Sequence, residues 1–393
     1  MKFKKALMYI GTVFAALLVL LLVVLIAFDW NWLKPYLNER LSDLYGRSLV
    51  IDGNIDVDLG WTTRIELEDL RFENADWGSE PQMARVEAAE IDVKLMPLLD
   101  GNIILPRLRL KKPRLLLETS DQGRGNWNLP PESDTQTAEE PPGTGMPIIE
   151  SLIIEDGEIQ YRDPSAATDL KGAIATESAD NGGRRIIIDA GGKLLDRQIG
   201  FRFTGDPLTD LQETGATYQA QMTIEMGQSR GEAEGVIHHP LHFQGMDLKV
   251  TIQGPDFSTP AALWDDDFPV TPPYRIDTRL ILENRVWKLK KSTVSLGDSE
   301  FTGSVTIDPT VDPLNITADL EFDVLHVEQL TAMFDKPEPE SDTPPDTTLD
   351  TSFLTNLNAD VQLRADSILM PKVPVNRGGF HLRLENGRLR IDP

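Results

Sequence analysis

The stretch "YQAQMTIEM", residues 218–226, decides the fold class of this chain. Every second residue from Tyr218 to Met226 is apolar, and the residues between them are polar. In an extended strand this spacing puts all the apolar side chains on one face. The stretch is therefore predicted to be a half-buried β-strand with one apolar and one polar face.

The same period of two recurs through most of the chain after Gly46. It is clear in "MDLKVTIQ", residues 246–253, and in "LNITADLEFDV", residues 314–324. Shorter stretches repeat it: "AEIDVKL", "RLRLKK", "GFRFTG", "LNADVQLR" and "FHLRLE". Helical patterns are few and short, such as Ser258 to Trp264. The sequence thus predicts a mainly β fold with few short helices.

The predicted strands each offer one apolar face, and almost no helix is available to cover these faces. Such faces can pack as a two-sheet sandwich, close into a barrel, or curl into a trough that is open to something apolar. The periodicity alone leaves these three arrangements open.

Three stretches share a strand, a short turn and a new strand: "LIIEDGEIQ", "LILENRVWK" and "LRLENGRLR". Asp156-Gly157 and Asn386-Gly387 are typical of type I′ hairpin turns, because both positions tolerate a positive φ. We therefore predict hairpins at these stretches.

Two segments fall outside the alternating pattern. Residues 130–147 and 336–350 are rich in proline and acidic residues and poor in apolar ones. Such a composition cannot bury enough apolar surface to order the chain. We predict disordered loops between sheet segments.

The N-terminus predicts a membrane anchor. Three lysines precede an apolar run from Ala6 to Phe28 that contains no charged residue. At about 1.5 Å rise per residue the run spans roughly 34 Å, enough for a bilayer core of about 30 Å. The lysines are expected to stay in the cytoplasm. This predicts a single-pass protein with an uncleaved anchor and the bulk of the chain outside the cytoplasm.

The segment after the anchor, residues 29–46, reads as one helix. Pro35 suits the start of a helix, and Gly46 suits its end. Leucines at helical spacing, from Leu33 to Leu44, predict an apolar stripe.

Composition excludes several classes of function. The chain has a formal net charge of −25, which argues against sequence-independent nucleic-acid binding, since that needs lysine and arginine. It has no cysteine, which excludes disulfides, zinc-thiolate sites and cysteine nucleophiles. We expect no nucleic-acid partner.

Four motifs that suggest chemistry are weak in their context. "DQGRGNWNLP", residues 121–130, precedes an acidic tail and opens no helix, so it is unsuited to phosphate. "GQSRG", residues 227–231, lacks the helix of a nucleophile elbow. Pro240 interrupts "HHPLH", residues 238–242, and "DDD", residues 265–267, lacks the spacing of a calcium loop. We expect no catalytic residue, no metal site and no cofactor.

The chain resembles the AsmA family of bacterial envelope proteins, most closely members of the YhjG type. The resemblance rests on the basic tip, the anchor and four later pieces: "GRSLVIDGNIDVDLGWTTRIELEDLRFENADWG", "IDVKLMPLLDGNIILPRLRLKKPRLLLE", "DQGRGNWNL" and "IIESLIIEDGEIQYRD". The most specific parts are Pro-Leu-Leu-x-Gly at 97–101 and the Gly-Asn-Trp that ends at Trp127. The family is similar to the repeating β-groove lipid-transfer proteins, which include TamB and YhdP.

The resemblance implies an elongated, twisted antiparallel sheet, curled into an apolar groove behind a single transmembrane helix. It implies an inner-membrane protein whose bulk lies in the periplasm and whose groove carries phospholipid acyl chains. The alternative is an assembly factor or scaffold that pairs at a strand edge with outer-membrane or other envelope proteins. The residues expected to line the groove are Ile91, Val93, Leu95, Leu108, Leu110, Ile159, Tyr161, Phe201, Phe203, Met222, Ile224, Leu248, Val250, Ile252, Leu280, Leu320, Phe322, Val361, Leu363, Leu382 and Leu384.

The same resemblance suggests how the chain is divided. Chains of this family continue with more strands, so an incomplete C-terminal segment is expected after "RLRIDP". The expected segments are the anchor 1–28, the helix 29–46, a groove segment 47–129, a loop 130–147, a groove segment 148–335, a loop 336–350 and an incomplete segment 351–393.

Overall fold

The computed structural model confirms a mainly β protein with few helices. It describes residues 28–98, 100–128, 148–179, 183–207, 209, 217–238, 245–263, 268–326, 357–369, 375–385 and 387–392. The chain divides into two compact units, residues 1–164 and 165–393.

The described part of the first unit starts with a 3₁₀ turn at Trp30–Leu33 and the helix α1 at Lys34–Tyr45, which ends at a left-handed Gly46. A short second helix, α2, spans Leu95–Leu98. The strands are β1 Leu49–Ile51, β2 Ile55–Asp58, β3 Thr62–Glu73, β4 Gln82–Lys94, β5 Ile104–Leu105, β6 Arg107–Lys111, β7 Arg114–Glu118, β8 Ile148–Ile149, β9 Leu152–Glu155 and β10 Gly157–Asp163.

Strand β3 organises the sheet of the first unit. On one side it pairs antiparallel with β1 and β2, and on the other with β4. Strand β4 then pairs antiparallel with β6 and β7. The next pairings are parallel, β6 with β9 and β7 with β10.

A line of kinks crosses this sheet, and it corrects one predicted hairpin. Asp69, Lys112 and Asp156 all have positive φ, between 45° and 50°. Lys112 donates its backbone N–H to the carbonyl of Glu155, so two of the kinks lie side by side. The prediction of a hairpin at Asp156-Gly157 was wrong: β9 and β10 pair with other strands. Aspartate tolerates positive φ in a kink as well as in a turn, so the local signal could not separate the two.

Helix α1 covers the outer edge of this sheet, as side chains of the N-terminal segment accept backbone N–H groups of the edge strands. Asn31 Oδ1 accepts from Ile55 N at 3.0 Å, and Ser42 Oγ accepts from Leu49 N at 2.9 Å. An open strand edge recruits other strands, and a covering helix prevents this.

The described residues of the second unit are almost entirely strand, with one short helix among them, α3, at Ser258–Ala261. Its strands are β11 Thr168–Ser178, β12 Arg184–Leu194, β13 Arg197–Gly205, β14 Thr217–Met226, β15 Ser229–His238, β16 Gly245–Gly254, β17 Tyr274–Glu283, β18 Val286–Leu296, β19 Ser299–Asp308, β20 Leu314–His326, β21 Leu357–Leu369, β22 Val375–Glu385 and β23 Arg388–Asp392.

Strands β11 to β20 form an antiparallel meander in chain order. Strand β20 then pairs parallel with β21, and antiparallel pairing resumes through β22 to β23. The sheets are therefore mixed, and the prediction of a purely antiparallel sheet was wrong. Parallel strands need a long connection that returns the chain to its starting end.

The two proline- and acid-rich segments belong to these long connections. Residues 130–147 lie between β7 and β8, and residues 336–350 lie between β20 and β21. Both segments fall outside the residues that the structure describes, so their predicted disorder stays a prediction. What the sequence did not reveal is that each precedes a strand in parallel pairing.

The other two predicted hairpins are confirmed. Asn284 and Arg285 have φ of 52° and 65° between β17 and β18, whose end residues Glu283 and Val286 pair. Glu385 pairs with Arg388 across the turn from β22 to β23.

The predicted anchor from Ala6 to Phe28 lies outside the described residues, apart from Phe28 itself. Within the described part of the chain, no helix has the length and apolar character needed to cross a membrane. The anchor stays a prediction from sequence.

Candidate functional site

Strand register in the second unit joins apolar side chains into one continuous face. Phe203 pairs with Met222, Met222 with Ala233, and Ala233 with Val250. A parallel row one step along the strands contains Phe201, Ile224, Gly231 and Ile252. Directly paired residues project to the same side of a sheet. We call this side the apolar face.

The apolar face continues past the meander. Leu248 pairs with Leu280, and Leu320 pairs with Leu363 across the parallel strands β20 and β21. A bulge at Lys291, with φ of 53°, adds a residue to β18 where β17 and β18 shift register. The predicted lining residues that the register places on this face are Phe201, Phe203, Met222, Ile224, Leu248, Val250, Ile252, Leu280, Leu320, Phe322, Val361, Leu363, Leu382 and Leu384.

Most of these side chains are half-buried, and their neighbours are on adjacent strands. Phe322 and Leu384 are buried, at 6% and 5% exposure. Phe322 belongs to a small core with Leu325, Ala365 and Ile368, against which Phe301 packs. Aromatic rings follow one another across strands, as with Phe301 and Phe322 at 4.7 Å. A sheet face made of half-buried apolar side chains still exposes apolar area that a ligand could cover.

The connection after β16 covers one end of the apolar face. Phe257 packs edge-on against Tyr274 at 5.0 Å and against Phe268 at 5.7 Å. Asp256 holds this connection by accepting hydrogen bonds from the backbone N–H groups of Ser258 and Thr271. Burial alone would raise the pKa of Asp256, but the hydrogen bond from the Ser258 hydroxyl, together with the two backbone hydrogen bonds, lowers it below its ordinary value.

The opposite face of the second unit is polar and carries paired charges. Arg279 donates to both carboxylate oxygens of Asp247, and Arg275 donates to Asp277. The hydrogen bond from Arg279 lowers the pKa of Asp247. These pairs keep this face hydrophilic.

A cavity of about 1150 Å³ opens mainly on the polar face, between β12 and β17. Its wall carries charges of both signs, including Glu234 and Lys249, whose charged atoms lie 3.7 Å apart. An acyl chain would have to displace water from these charges without replacing it. The cavity therefore does not suit an apolar ligand.

The first unit carries a smaller apolar face. Ile65 pairs with Ile91, Ile91 with Leu108, and Leu110 with Ile154. Val93, another predicted lining residue, pairs with Thr63 in the same sheet. Beyond the line of kinks, predicted lining residues Ile159 and Tyr161 pair with Leu115 and Leu117. Leu95 lies in helix α2 and is 38% exposed, so the structure places it outside the strand rows.

The "GRGNW" loop holds a buried polar cluster that the sequence did not reveal. Asn126 is fully buried; its amide group donates to Asn74 Oδ1 and to the carbonyl of Leu116, both at 2.9 Å. Its Oδ1 accepts from the backbone N–H of Glu118 at 3.0 Å. The local signal in the sequence was an asparagine between a glycine and a tryptophan, residues 125–127, within the stretch judged unsuited to phosphate.

Glu118 lies in the same cluster and is only 4% exposed. Its carboxylate accepts from Asn74 Nδ2 and from the backbone N–H of Ser79, both at 2.9 Å, and from the Ser79 hydroxyl. Burial would raise the pKa of Glu118, but the hydrogen bonds from Ser79 and Asn74 and the charge of Arg162 lower it. The cluster fastens the loop to the sheet.

The motifs judged weak for chemistry lie in turns or outside the described residues. Met226 pairs with Ser229, so "GQSRG" begins in a tight hairpin turn. His239, His242 and residues 265–267 lie outside the described part. Among the described residues no group of three or more histidine, cysteine, aspartate or glutamate side chains is placed to hold a metal ion.

Comparison with known proteins supports the resemblance seen in the sequence. Residues 3–182 match the model of the AsmA family. Over 332 residues the chain is 24% identical to the AsmA family protein YhjG of Escherichia coli strain K12, covering 75% of this chain and 48% of that protein. The chain thus spans about half the length of the curated relative it matches. No solved structure matches the chain.

Proposed function

We propose that this chain, whose residues 3–182 match the AsmA family, is an inner-membrane-anchored periplasmic protein that binds phospholipid acyl chains and lets them pass along its apolar face. The observation that carries the proposal is the register of the second unit, which aligns half-buried apolar side chains over consecutive strands.

The size and chemistry of the face suit an acyl chain. Removing a methylene group from water is favourable by about 0.8 kcal/mol, so a chain lying across several strands gains several kcal/mol. The gain needs no charged partner, and the rows around Phe203 and Val250 are apolar. Binding of this kind requires no catalytic residue, in keeping with an expected non-enzymatic role.

The alternative function is strand-edge pairing with envelope proteins, and one edge of the first unit is poorly suited to it. The outer edge of the first unit is covered by α1, with Asn31, Asn38 and Ser42 accepting the edge N–H groups. A partner strand would have to displace the helix before it could pair there.

Two adjacent residues of β14 provide a matched test. Ile224 lies on the apolar face, and Thr223, on the polar face, pairs with Arg202. The full chain would first be cross-linked in cells to a photoreactive phospholipid. It would then be purified in nanodiscs without detergent, and the lipid adducts would be mapped by mass spectrometry. We expect Ile224→Asp to reduce lipid adducts on the second unit several-fold, and Thr223→Asp to leave them unchanged.

The control separates lost binding from lost folding. Both variants should retain the strand signal in circular dichroism. Equal adduct yields for Ile224→Asp and the unaltered chain would show that lipid does not occupy this face, and the proposal would then be wrong.

A further inference from the structure

The first unit exposes large apolar side chains at one end of its sheet. Trp61, in the turn from β2 to β3, is 83% exposed, and Met96 in α2 is 57% exposed. Leu59, Leu95 and Leu98 are also exposed, at 37–39%. We call these five residues the apolar rim. Leucine, methionine and tryptophan exposed together are unusual on a surface that faces only water.

The two parts of the apolar rim lie side by side. The backbone N–H of Leu95 donates to the carbonyl of Trp61 at 3.2 Å, which joins α2 to the β2–β3 turn. The rim is therefore one surface composed of helix α2 and the β2–β3 turn, and it lies where β4 ends and β3 begins.

The N-terminal segment runs toward this same end. Ser42 contacts Leu49, Asn38 contacts Ile51, and Asn31 contacts Ile55 through hydrogen bonds. The N-terminal segment is therefore antiparallel to β1 and β2. Its earlier residues contact later strand residues, which lie closer to the turn that holds Trp61. Trp32, in the 3₁₀ turn, is 79% exposed. Within the described residues, the segment from Ser42 back to Asn31 therefore runs toward the apolar rim.

The apolar run that precedes Phe28 in the sequence indicates what covers the apolar rim. Residues 6–28 form the apolar run that is long enough to span a bilayer, and the run ends three residues before Asn31, which bonds to Ile55 in β2. Tryptophan is enriched at that boundary, where its ring is apolar and its N–H is polar. We propose that the apolar rim inserts into the interfacial layer of the phospholipid bilayer that holds the anchor.

The charges near the rim indicate how it binds. The basic residues that lie nearest the rim residues in sequence, Arg64 and Lys94, form ion pairs with Asp92 at 3.2 Å and Glu150 at 2.6 Å. Asp58 and Asp100 flank the rim with negative charge. Insertion therefore depends on apolar side chains, and it does not require anionic headgroups. Zwitterionic lipid is sufficient.

This inference is independent of acyl-chain binding on the second unit, because its test measures only the surroundings of labels on the rim. The chain has no cysteine, so single-cysteine variants can carry one spin label each without a further change. The labelled sites are Trp61→Cys and Met96→Cys. The control is Gln122→Cys, an exposed position in the loop that follows β7, at the opposite end of the same sheet.

The full chain would be placed in nanodiscs of phosphatidylcholine and phosphatidylethanolamine, and each label would be probed by electron paramagnetic resonance. Oxygen concentrates in the bilayer, and a water-soluble nickel complex stays outside it. We expect oxygen to relax the labels at 61 and 96 more strongly than the nickel complex does, and the reverse at 122. Circular dichroism checks that each variant retains its strands.

Two results would overturn the proposal. If the labels at 61 and 96 are as accessible to the nickel complex as the label at 122, the rim faces water. If they are shielded from both reagents, the rim is covered by protein, from this chain or a second copy, and not by lipid. A label at Leu98→Cys repeats the test at a third rim position.

Discussion

The side-chain oxygen of Asn38 accepts a hydrogen bond from the backbone N–H of Ile51 at 3.0 Å. Ile51 is only 3% exposed, so its N–H has little access to water. A helix side chain here takes the place of a neighbouring strand and closes the edge of the sheet.

Asn38→Ala is expected to destabilise the first unit by about 1–3 kcal/mol, because it leaves a buried backbone donor without a partner. Urea unfolding of the full chain in detergent, followed by circular dichroism, measures the change. Arg40→Ala, on an exposed position of the same helix, serves as the control. An effect of Asn38→Ala no larger than that of the control would mean that this bond does not hold the edge.

Glu118→Gln is expected to change how stability depends on pH. The folded-state pKa of Glu118 is lowered from 4.5, since its hydrogen bonds and Arg162 outweigh burial. Its ionised form therefore stabilises the fold above about pH 4.5, and this contribution disappears as pH falls through the lowered pKa. At pH 7 the variant should lose about 2 kcal/mol, as for hydrogen bonds to a charged group.

The measurement for Glu118 is the unfolding midpoint in urea between about pH 3 and pH 7, a range that brackets the ordinary carboxyl pKa of 4.5. The unaltered chain should lose more stability on acidification than Glu118→Gln does. Glu87→Gln, which removes an exposed partner of Lys112, should follow the unaltered chain. Parallel curves for all three would contradict the buried role of Glu118.

Two glycines of β15 are expected to respond in opposite ways to alanine. Gly235 has φ of 151°, and an added Cβ would lie 2.2 Å from the carbonyl oxygen of Asp247. Gly231, on the apolar face, has open space around the same position. Gly235→Ala should destabilise the second unit by more than about 1 kcal/mol, while Gly231→Ala should be neutral or stabilise it by about 0.4–1 kcal/mol. Thermal unfolding of both variants decides.

The orientation of the anchor is a prediction from sequence that a reporter can test. Lys2, Lys4 and Lys5 precede the apolar run, so the N-terminus is expected in the cytoplasm and residue Pro393 outside it. An enzyme that folds only outside the cytoplasm should be active when fused after Pro393. Activity confined to a cytoplasmic reporter at that position would reverse the predicted topology.

Much of the candidate site could be predicted from sequence, because the alternation of residues within a strand determines which side chains share a face. In β14, the alternation from Tyr218 to Met226 predicts that Met222 and Ile224 share a side, and the register agrees. The turn at Asn284 was equally local, since positive φ depends on the residue itself. The polar cluster around Asn126 was missed, since Asn74, which accepts from the Asn126 amide, lies 52 residues earlier in the sequence.

The sequence by itself determined that this chain is mainly β, that its strands have one apolar face, and that an apolar run precedes them. The tertiary structure alone decided which strands are neighbours: that β20 pairs parallel with β21, that Asp156 is a kink, and that Asn38 closes the edge at Ile51. The physical reason is that alternation and turn propensity act over a few residues, whereas strand pairing depends on backbone groups far apart in the chain.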